Sequence, residues 1–168
     1  YRHIEELTEK VDRFAYRVLK KDCLDLPDKT YTVRNVSLTD EQRMAYVEIR
    51  DEAMTVLDNE LISVNSIMTQ MIRLQQVLSG HLKTDDGRTV ELPNNRIQAV
   101  LDILEETSGK VIIWSRFRYD IEALQAAISN KFGDRSVASY YGDTKDDERR
   151  EAVQSFQDPD SELRYFIG

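Results

Sequence analysis

The chain has 168 residues, of which 40% are hydrophobic and 32% charged, a composition typical of a soluble globular domain with a sizeable core. Its 23 lysines and arginines against 31 aspartates and glutamates give a net charge of −8. This balance argues against a purely electrostatic nucleic-acid binder, because duplex binding draws on clustered cations, but it allows a local basic edge. No apolar run reaches the ~18 residues that span a bilayer, so we expect no membrane association.

Residues that bind metals or carry nucleophilic chemistry are few and scattered. Cys23 is the only cysteine, which excludes an intrachain disulfide and favours a small, partly buried side chain over a catalytic thiol. His3 and His81 have no second ligand at metal-binding spacing, so we expect no zinc site. The sequence also lacks a G-x-x-x-x-G-K-[ST] phosphate loop and a nucleophile elbow. It therefore shows no self-contained active site.

The first forty residues predict one helix and one strand. Apolar residues at spacings of three and four predict a helix over residues 3–20, which we interpret as an arm or a connector. The β-branched and aromatic residues from Thr30 to Leu38 predict a strand. Its alternation slips midway, so we expect a bulge near Asn35 or an edge position.

Two helices are predicted next. Thr39 and Gln42 form a capping box that opens the first of them, with four residues expected to be buried: Tyr46, Ile49, Ala53 and Leu57. The second helix should end at Gly80 and carries one apolar stripe: Val64, Ile67, Met68, Met71, Leu74 and Leu78. A methionine-bearing stripe is more often core filler than a binding groove, and we interpret this one as core.

The second half of the chain predicts an α/β domain. Residues 83–93, with Asp86-Gly87 at their centre, predict an exposed hairpin or loop, and Asn94 or Asn95 should cap the helix that follows. Three apolar runs follow: Val111–Trp114, Val137–Tyr141 and Tyr165–Ile167. An amphipathic segment with apolar residues at helical spacing separates the first two (Ile121, Leu124, Ile128 and Phe132), and a charged helix over Asp146–Phe156 separates the last two. Such alternation predicts right-handed βαβ crossovers and a parallel sheet.

Two loops that follow predicted strands form the candidate working surface. Ligands of such sheets gather at the carboxyl ends of the strands, where Ser115-Arg116-Phe117 and Gly142-Asp143-Thr144 should lie. The first triplet is polar, cationic and aromatic, which suits a ribose-phosphate contact. At the second, Thr144 is predicted to cap a helix, with Asp147 three residues on. The free N–H groups there, with Lys145 and Arg149 nearby, could hold a phosphate; the alternative is a capped helix with solvated charges.

These segments, in this order, resemble the second RecA-like lobe of superfamily-two helicase-type ATPases, specifically the Swi/Snf group of DNA translocases. Residues 18–29 are similar to the basic segment and L-P-x-K sequence that lead into that lobe. Three further segments resemble its helix start, its L-R-Q helix and motif IV: Leu38–Tyr46, Met71–Gln76 and Lys110–Phe117. Tyr141-Gly142-Asp143-Thr144, followed by Arg149 and Phe156, resembles the family's G-x-(T/S)…R…F signature.

The sequence departs from the family pattern at three places. Gln75 stands where an Arg is usual, and Tyr141-Gly142-Asp143 replaces a His-Gly-Gly-like turn. The connection from Gly80 to Asn94 is short, which favours a bacterial or phage member. The chain does not begin with Met and ends in a predicted strand, before motifs V and VI. We therefore expect a fragment of a longer protein, truncated at both ends.

The resemblance implies an α/β, P-loop NTPase-type fold that is incomplete and carries a helical N-terminal segment. Residues 1–29 would be a connector from a first lobe in cis, and 30–168 a partial C-terminal lobe with a helical pair at 39–80 and a βαβ core at 94–168. The parent would bind ATP and Mg mainly through the first lobe and step along duplex DNA. The fragment itself would be inactive. A cytoplasmic location is expected, or a nuclear one for a eukaryotic source.

The resemblance also assigns roles to site residues. Backbone phosphate contacts would come from motif IV (Ser115, Arg116 and Phe117) and from the turn that includes Gly142, Thr144 and Lys145. Arg149 would either touch DNA or brace that turn, and both alternatives stay open. A competing interpretation is an acidic protein-interaction module that docks a partner through its methionine-bearing helices. A weaker one is a small-ligand domain with a phosphate at the Gly142 turn.

Overall fold

The computed structural model describes residues 4–12, 14–16, 18–19, 23–25, 27–58, 64–84 and 86–168. The chain divides into two units, Tyr1–Arg34 and Asn35–Gly168. In its described part, no helix is long and apolar enough to cross a membrane.

The first unit contains a helix shorter than the one predicted. Helix α1 spans Ile4–Val11, whereas residues 14–16 and 18–19 are not helical. The apolar stripe of α1 is exposed, including Ile4 and Leu7. Short helices draw their stability from packing of their apolar face. The apolar face of α1 is not packed, so the helix does not continue to residue 20. His3 and Leu26 lie outside the described residues.

The strand predicted from Thr30 to Leu38 is absent from the structure, so that prediction was wrong. These residues are irregular, and Tyr31 and Val33 are 87% and 86% exposed. β-branched and aromatic residues favour strands where they pack on a half-buried pleated surface. Within the described residues, the segment has no neighbouring strand, and only Val36 and Leu38 at its end are half-buried.

The second unit begins with a pair of helices whose caps match the prediction. Helix α2 spans Asp40–Asp58 and α3 spans Val64–Leu78. The Thr39 amide donates to Gln42 Oε1 at 3.2 Å, and the Gln42 amide donates to Thr39 Oγ1 at 3.2 Å, which confirms the capping box. Gln42 is buried and its Nε2 donates to the Val77 carbonyl at 2.8 Å. One side chain thus caps α2 and ties it to the end of α3.

The methionine-bearing stripe is not core, contrary to the prediction. Met68 and Met71 on α3 are 56% and 55% exposed, and Met44 on α2 is also exposed. Helix α3 instead buries Val77 completely, a residue that the predicted stripe omits. Helical spacing shows that a helix has an apolar face, but a residue such as Leu74 can belong to either of two adjacent faces. Packing decides which of these faces points inward. The side chains at 53–58 and 64–66, including Ala53, Leu57 and Val64, lie outside the description.

A short hairpin connects the helical pair to the sheet. Strands β1 (His81–Lys83) and β2 (Thr89–Glu91) pair antiparallel, with His81 opposite Glu91, which confirms the predicted hairpin. Gly80 precedes it with φ +84°, and a Cβ at this position would clash with the side chain of Asn94. Both the left-handed backbone and the close approach require glycine here.

Helices cover both faces of a small parallel sheet. Helix α4 spans Arg96–Glu106. Of the two predicted caps, Asn95 occupies the N-cap position without a side-chain cap hydrogen bond, and Asn94 Oδ1 accepts from the Arg96 amide at 3.2 Å. The remaining elements follow in chain order: β3 (Val111–Ile113), α5 (Arg118–Phe132), β4 (Val137–Ser139), α6 (Asp146–Gln157) and β5 (Tyr165–Ile167). All strands are parallel in the order β3-β5-β4, so the predicted α/β architecture is confirmed.

Alternating residues of β5 show how the layers pack. Tyr165 and Ile167 are fully buried in the main core, together with residues of α4, α5 and β4: Leu101, Leu104, Ile121, Leu124, Ile128 and Val137. Phe166 points to the opposite face, where the Phe156 ring of α6 lies 5.3 Å from it. Lys110 Nζ then donates to the Phe156 carbonyl at 2.7 Å at the end of α6, a favourable place for a cation.

Candidate nucleic-acid interface

The two predicted loops lie at the same edge of the sheet, on either side of the central strand. The Ser115 amide donates to the Gly168 carbonyl at 2.7 Å, and the Tyr140 amide donates to the Ile167 carbonyl at 2.7 Å. The strand ends therefore present residues 115–117 and 142–145 side by side around β5. Here the first loop means Ser115–Phe117, and the second turn means Gly142–Lys145.

The first loop is fixed through Ser115 and Phe117, while Arg116 points outward. Ser115 Oγ donates to Asp120 Oδ2 at 3.2 Å in the first turn of α5. Phe117 is the N-cap residue of α5, with extended backbone angles, and its ring is half-buried. Arg116 is exposed and forms no ion pair with any residue that the structure describes. Its guanidinium is therefore available to an anion from outside.

His81 supports this loop from the hairpin, a role that the sequence did not reveal. Its buried ring lies edge-on to Phe117, with centroids 5.2 Å apart, and 4.5 Å from Tyr119. Its Nδ1 is 3.9 Å from Asp120 Oδ1 and has no hydrogen-bond partner among the described residues. Burial lowers the pKa of His81, and the Asp120 carboxylate opposes that shift only in part. The ring is therefore a neutral packing element behind the loop.

The second turn closes differently from the prediction. Thr144 is not the helix cap: its Oγ1 accepts from the Tyr141 amide at 3.1 Å and donates to the Ser139 carbonyl at 3.4 Å. Helix α6 begins at Asp146 as predicted, but its N-cap is Lys145, one residue after Thr144, and the Lys145 amide donates to Glu148 Oε2 at 3.4 Å. Asp147 therefore has no capping role. The threonine hydroxyl closes the turn onto its own strand and leaves the cap position to Lys145.

Arg149 braces the second turn from α6. Its NH2 donates to the carbonyls of Tyr141 at 2.9 Å and Gly142 at 3.2 Å. The guanidinium also lies over the Tyr140 ring, 5.2 Å from its centroid. Of the two roles left open above, these contacts match bracing, whereas a contact of Arg149 with DNA stays a prediction.

Acidic residues occupy the start of α6. Asp146, Asp147 and Glu148 form its first turn, where carboxylates interact favourably with the helix dipole. The same charges would repel a phosphate that approached the helix axis. Two exposed cations are better candidates for an anion contact than the helix end itself: Arg116, and Lys145, whose side chain is 83% exposed and whose Nζ lies 3.9 Å from Glu148 Oε1.

One ion pair connects the first helix turn of α5 to the second turn. Arg118 NH1 lies 2.8 Å from Asp143 Oδ2, and its NH2 donates to Asp143 Oδ1 at 2.9 Å. The guanidinium also lies 5.7 Å from the centre of the Tyr141 ring. Sequence patterns gave no sign of this pair, because its partners are on different elements and meet only when the sheet forms.

The cavity and grooves lined by the described residues are either small or lined by carboxylates. The described residues contain no group of three or more His, Cys, Asp or Glu that could hold a metal. A cavity between α4 and α5, beside Ser115 and Asp120, has a volume of about 80 Å³, whereas ligand pockets usually measure ~300 Å³ or more. Two open grooves of about 460 and 380 Å³ are lined by carboxylates, including Glu148 in both, and would repel a triphosphate.

Comparison with known proteins agrees with this architecture. Residues 95–167 match the helicase conserved C-terminal domain. Protein p41 of Acyrthosiphon pisum secondary endosymbiont phage 1 is 28% identical over 108 residues, which cover 63% of this chain and 24% of the phage protein. The chain thus spans about a quarter of the length of that relative.

Solved structures of one archaeal enzyme have the same fold. The Sulfolobus solfataricus SWI2/SNF2 ATPase core in complex with dsDNA superposes with a TM-score of 0.66 at 24% identity, covering 97% of this chain and 36% of that one. Its C-terminal domain alone gives a TM-score of 0.63 at 18% identity, covering 79% and 59%. These matches confirm the resemblance drawn from the sequence motifs. Residues 95–167 thus match the helicase conserved C-terminal domain, and the chain has the RecA-like fold seen in the SWI2/SNF2 ATPase core.

Proposed function

We propose that this chain is the DNA-contacting C-terminal lobe of an ATP-dependent translocase of the Swi/Snf type. The observation that carries the proposal is the juxtaposition of the first loop and the second turn at one edge of the sheet. Both carry an exposed cation, Arg116 in the first loop and Lys145, which lies 3.9 Å from the Glu148 carboxylate, in the second turn. The related fold of an archaeal SWI2/SNF2 ATPase solved with dsDNA supports duplex DNA as the ligand.

In this proposal, the two cations hold the phosphate backbone and read no sequence. Phosphate contacts position a protein on duplex DNA, whereas base contacts specify the sequence. The fold supplies rigidity: the first loop is held by buried Asp120 and His81, and the second turn by Arg149. A phosphate bound between the first loop and the second turn would move with this lobe as a rigid body.

ATP and Mg²⁺ would bind to the first lobe of the complete protein. No phosphate loop occurs in this sequence, and no catalytic step is assigned to its residues. Closure of the two lobes around ATP would shift this lobe relative to the first, and hydrolysis would release it. A bacterial or phage source is part of the proposal, and the phage relative supports it.

The test is the salt dependence of duplex binding by the protein that carries this chain. Arg116→Ala and Lys145→Ala should each weaken binding evenly across unrelated sequences and lower the slope of log K against log salt by about 0.9. Arg135→Ala is the matched control, because Arg135 is an exposed, ion-paired arginine beside β4 at the opposite end of the strand. Slopes that stay at the wild-type value in both variants would refute the assignment.

A second candidate function rests on the exposed face of the helical pair. Met68, Met71 and Ile72 of α3 and Met44 of α2 are all exposed, so an interaction module that docks an apolar partner surface is the alternative. It predicts a stable complex that forms without ATP or DNA and dissociates when Met71 is replaced by Glu. The translocase proposal predicts that Met71→Glu leaves DNA-stimulated ATP hydrolysis unchanged.

A further inference from the structure

The Arg118–Asp143 pair joins the two elements that carry the proposed DNA contacts. Arg118 follows the first loop directly, and Asp143 lies inside the second turn. Resting on the proposed function, we propose that Arg118 is a further phosphate contact, held ready for DNA by Asp143 and the ring of Tyr141. Arg118 lies outside the sequence patterns that pointed to the interface, whereas Asp143 belongs to the predicted turn.

The guanidinium keeps donors free after it has bound Asp143. Arginine has five N–H donors in a rigid planar fork, and two of its nitrogens, NH1 and NH2, each make one contact with the Asp143 carboxylate. One donor remains on each of these nitrogens and one on Nε. The side chain is 57% exposed, so a phosphate oxygen can reach the remaining donors from solvent.

The residues around Arg118 favour a phosphate as its ligand. A planar fork matches the geometry of phosphate oxygens, and arginine at such sites binds in a bidentate manner. Arg116 and Lys145 lie on the two segments that the pair connects, so a backbone that contacts both passes Arg118. Without the guanidinium, the Asp143 carboxylate would repel that backbone from inside the second turn.

Positioning explains the pair better than stability does. Exposed ion pairs contribute little to folding because solvent screens them, and both partners here are more than half exposed. The two contacts to Asp143 and the aromatic face of Tyr141 nevertheless restrict a long, flexible side chain. A restricted side chain loses less rotamer freedom when a ligand arrives, which improves binding.

The experiment measures duplex binding against salt for Arg118→Ala, with Arg135→Ala as the matched control. Both variants remove an exposed, ion-paired arginine, and only Arg118 lies at the proposed interface. Arg118→Ala should weaken binding about tenfold at low salt and lower the slope by about 0.9, as expected for one lost phosphate contact. Arg135→Ala should leave both values unchanged.

Arg118→Lys provides a second measurement that does not depend on the alanine variant folding. It keeps the charge but loses the fork, so the slope should stay at the wild-type value while affinity falls by less than in Arg118→Ala. Wild-type affinity and slope in both variants, or equal losses in Arg118→Ala and Arg135→Ala, would overturn the inference. If Arg116→Ala and Lys145→Ala also leave the slope unchanged, the proposed function fails as well. A loss in those two but not at Arg118 refutes this inference alone.

Discussion

The first loop and the second turn lie side by side but are held by different means. Behind the first loop, Asp120 and His81 are buried, with side chains 10% and 5% exposed. The second turn is held by the Thr144 hydroxyl and by Arg149, whose side chain is 28% exposed, donates to the carbonyls of Tyr141 and Gly142 and lies 3.6 Å from the Asp146 carboxylate. Buried polar contacts cost more when broken than exposed ones do. We therefore expect the first loop to lose its structure only when the whole domain unfolds, and the second turn to open locally while the domain stays folded.

The largest expected effect is at Asp120. Replacing it by Ala removes the acceptor of Ser115 Oγ and the carboxylate beside His81. The free energy of unfolding should fall by about 1 to 3 kcal/mol, the usual cost of leaving a buried polar group unsatisfied. Denaturant titration measures it, with Ser115→Ala as the control that removes only the hydroxyl. A loss no larger than in Ser115→Ala would contradict the difference between the two loops.

A smaller effect is expected at Arg149. Arg149→Ala frees the carbonyls of Tyr141 and Gly142, both of which water can reach, so stability should fall by only about 1 kcal/mol. Duplex binding should weaken without a change in the salt slope, because bracing involves no phosphate. A slope lowered by about 0.9 would show that Arg149 contacts DNA directly. Arg149→Lys should not restore binding, since lysine cannot bridge two carbonyls with a fixed fork.

The smallest effect is the pH dependence from His81. Burial lowers the pKa of His81 from its ordinary value of 6.5, so the unfolded chain binds the proton first. The contribution of His81 to the free energy of unfolding is therefore fully present above about pH 6.5, and it falls as the pH drops through the lowered pKa. His81→Gln should flatten this fall in thermal unfolding measured across pH. Since the Asp120 carboxylate raises the pKa, Asp120→Asn should move the fall to lower pH, and no movement would contradict the assigned contact.

The sheet and its helices were predictable because local pattern and tertiary packing agree there. Tyr165 and Ile167 and the stripe of Ile121, Leu124 and Ile128 are buried as expected. In the run at 111–114, Val111 and Ile113 pack against that core, whereas Ile112 and Trp114 are exposed. Thr39 and Gln42 make the predicted cap because capping is a local arrangement. The strand prediction was wrong where the segment has no neighbouring strand. Thr30–Leu38 has strand-forming residues but no described strand beside it.

The candidate site was predictable in place but not in detail. Topology alone sets the two loops at one edge of the sheet, because parallel strands end together. The contacts that shape the edge connect residues far apart in sequence, such as His81 with Asp120 and Arg118 with Asp143. Thr144 shows the same limit at short range. Its spacing fits a cap, but its hydroxyl bonds back to Tyr141 and Ser139 instead.

ATP hydrolysis by the protein that carries this chain, titrated with duplex DNA, tests the central claim most directly. The account predicts that DNA stimulates hydrolysis. It also predicts that Arg116→Ala with Lys145→Ala raises the DNA concentration for half-maximal rate at least about tenfold and leaves the maximal rate unchanged, because only DNA binding is lost. Stimulation by DNA with the same half-maximal concentration in wild type and double variant would contradict the assignment of this edge. Absence of DNA stimulation in the wild type would contradict the translocase function itself.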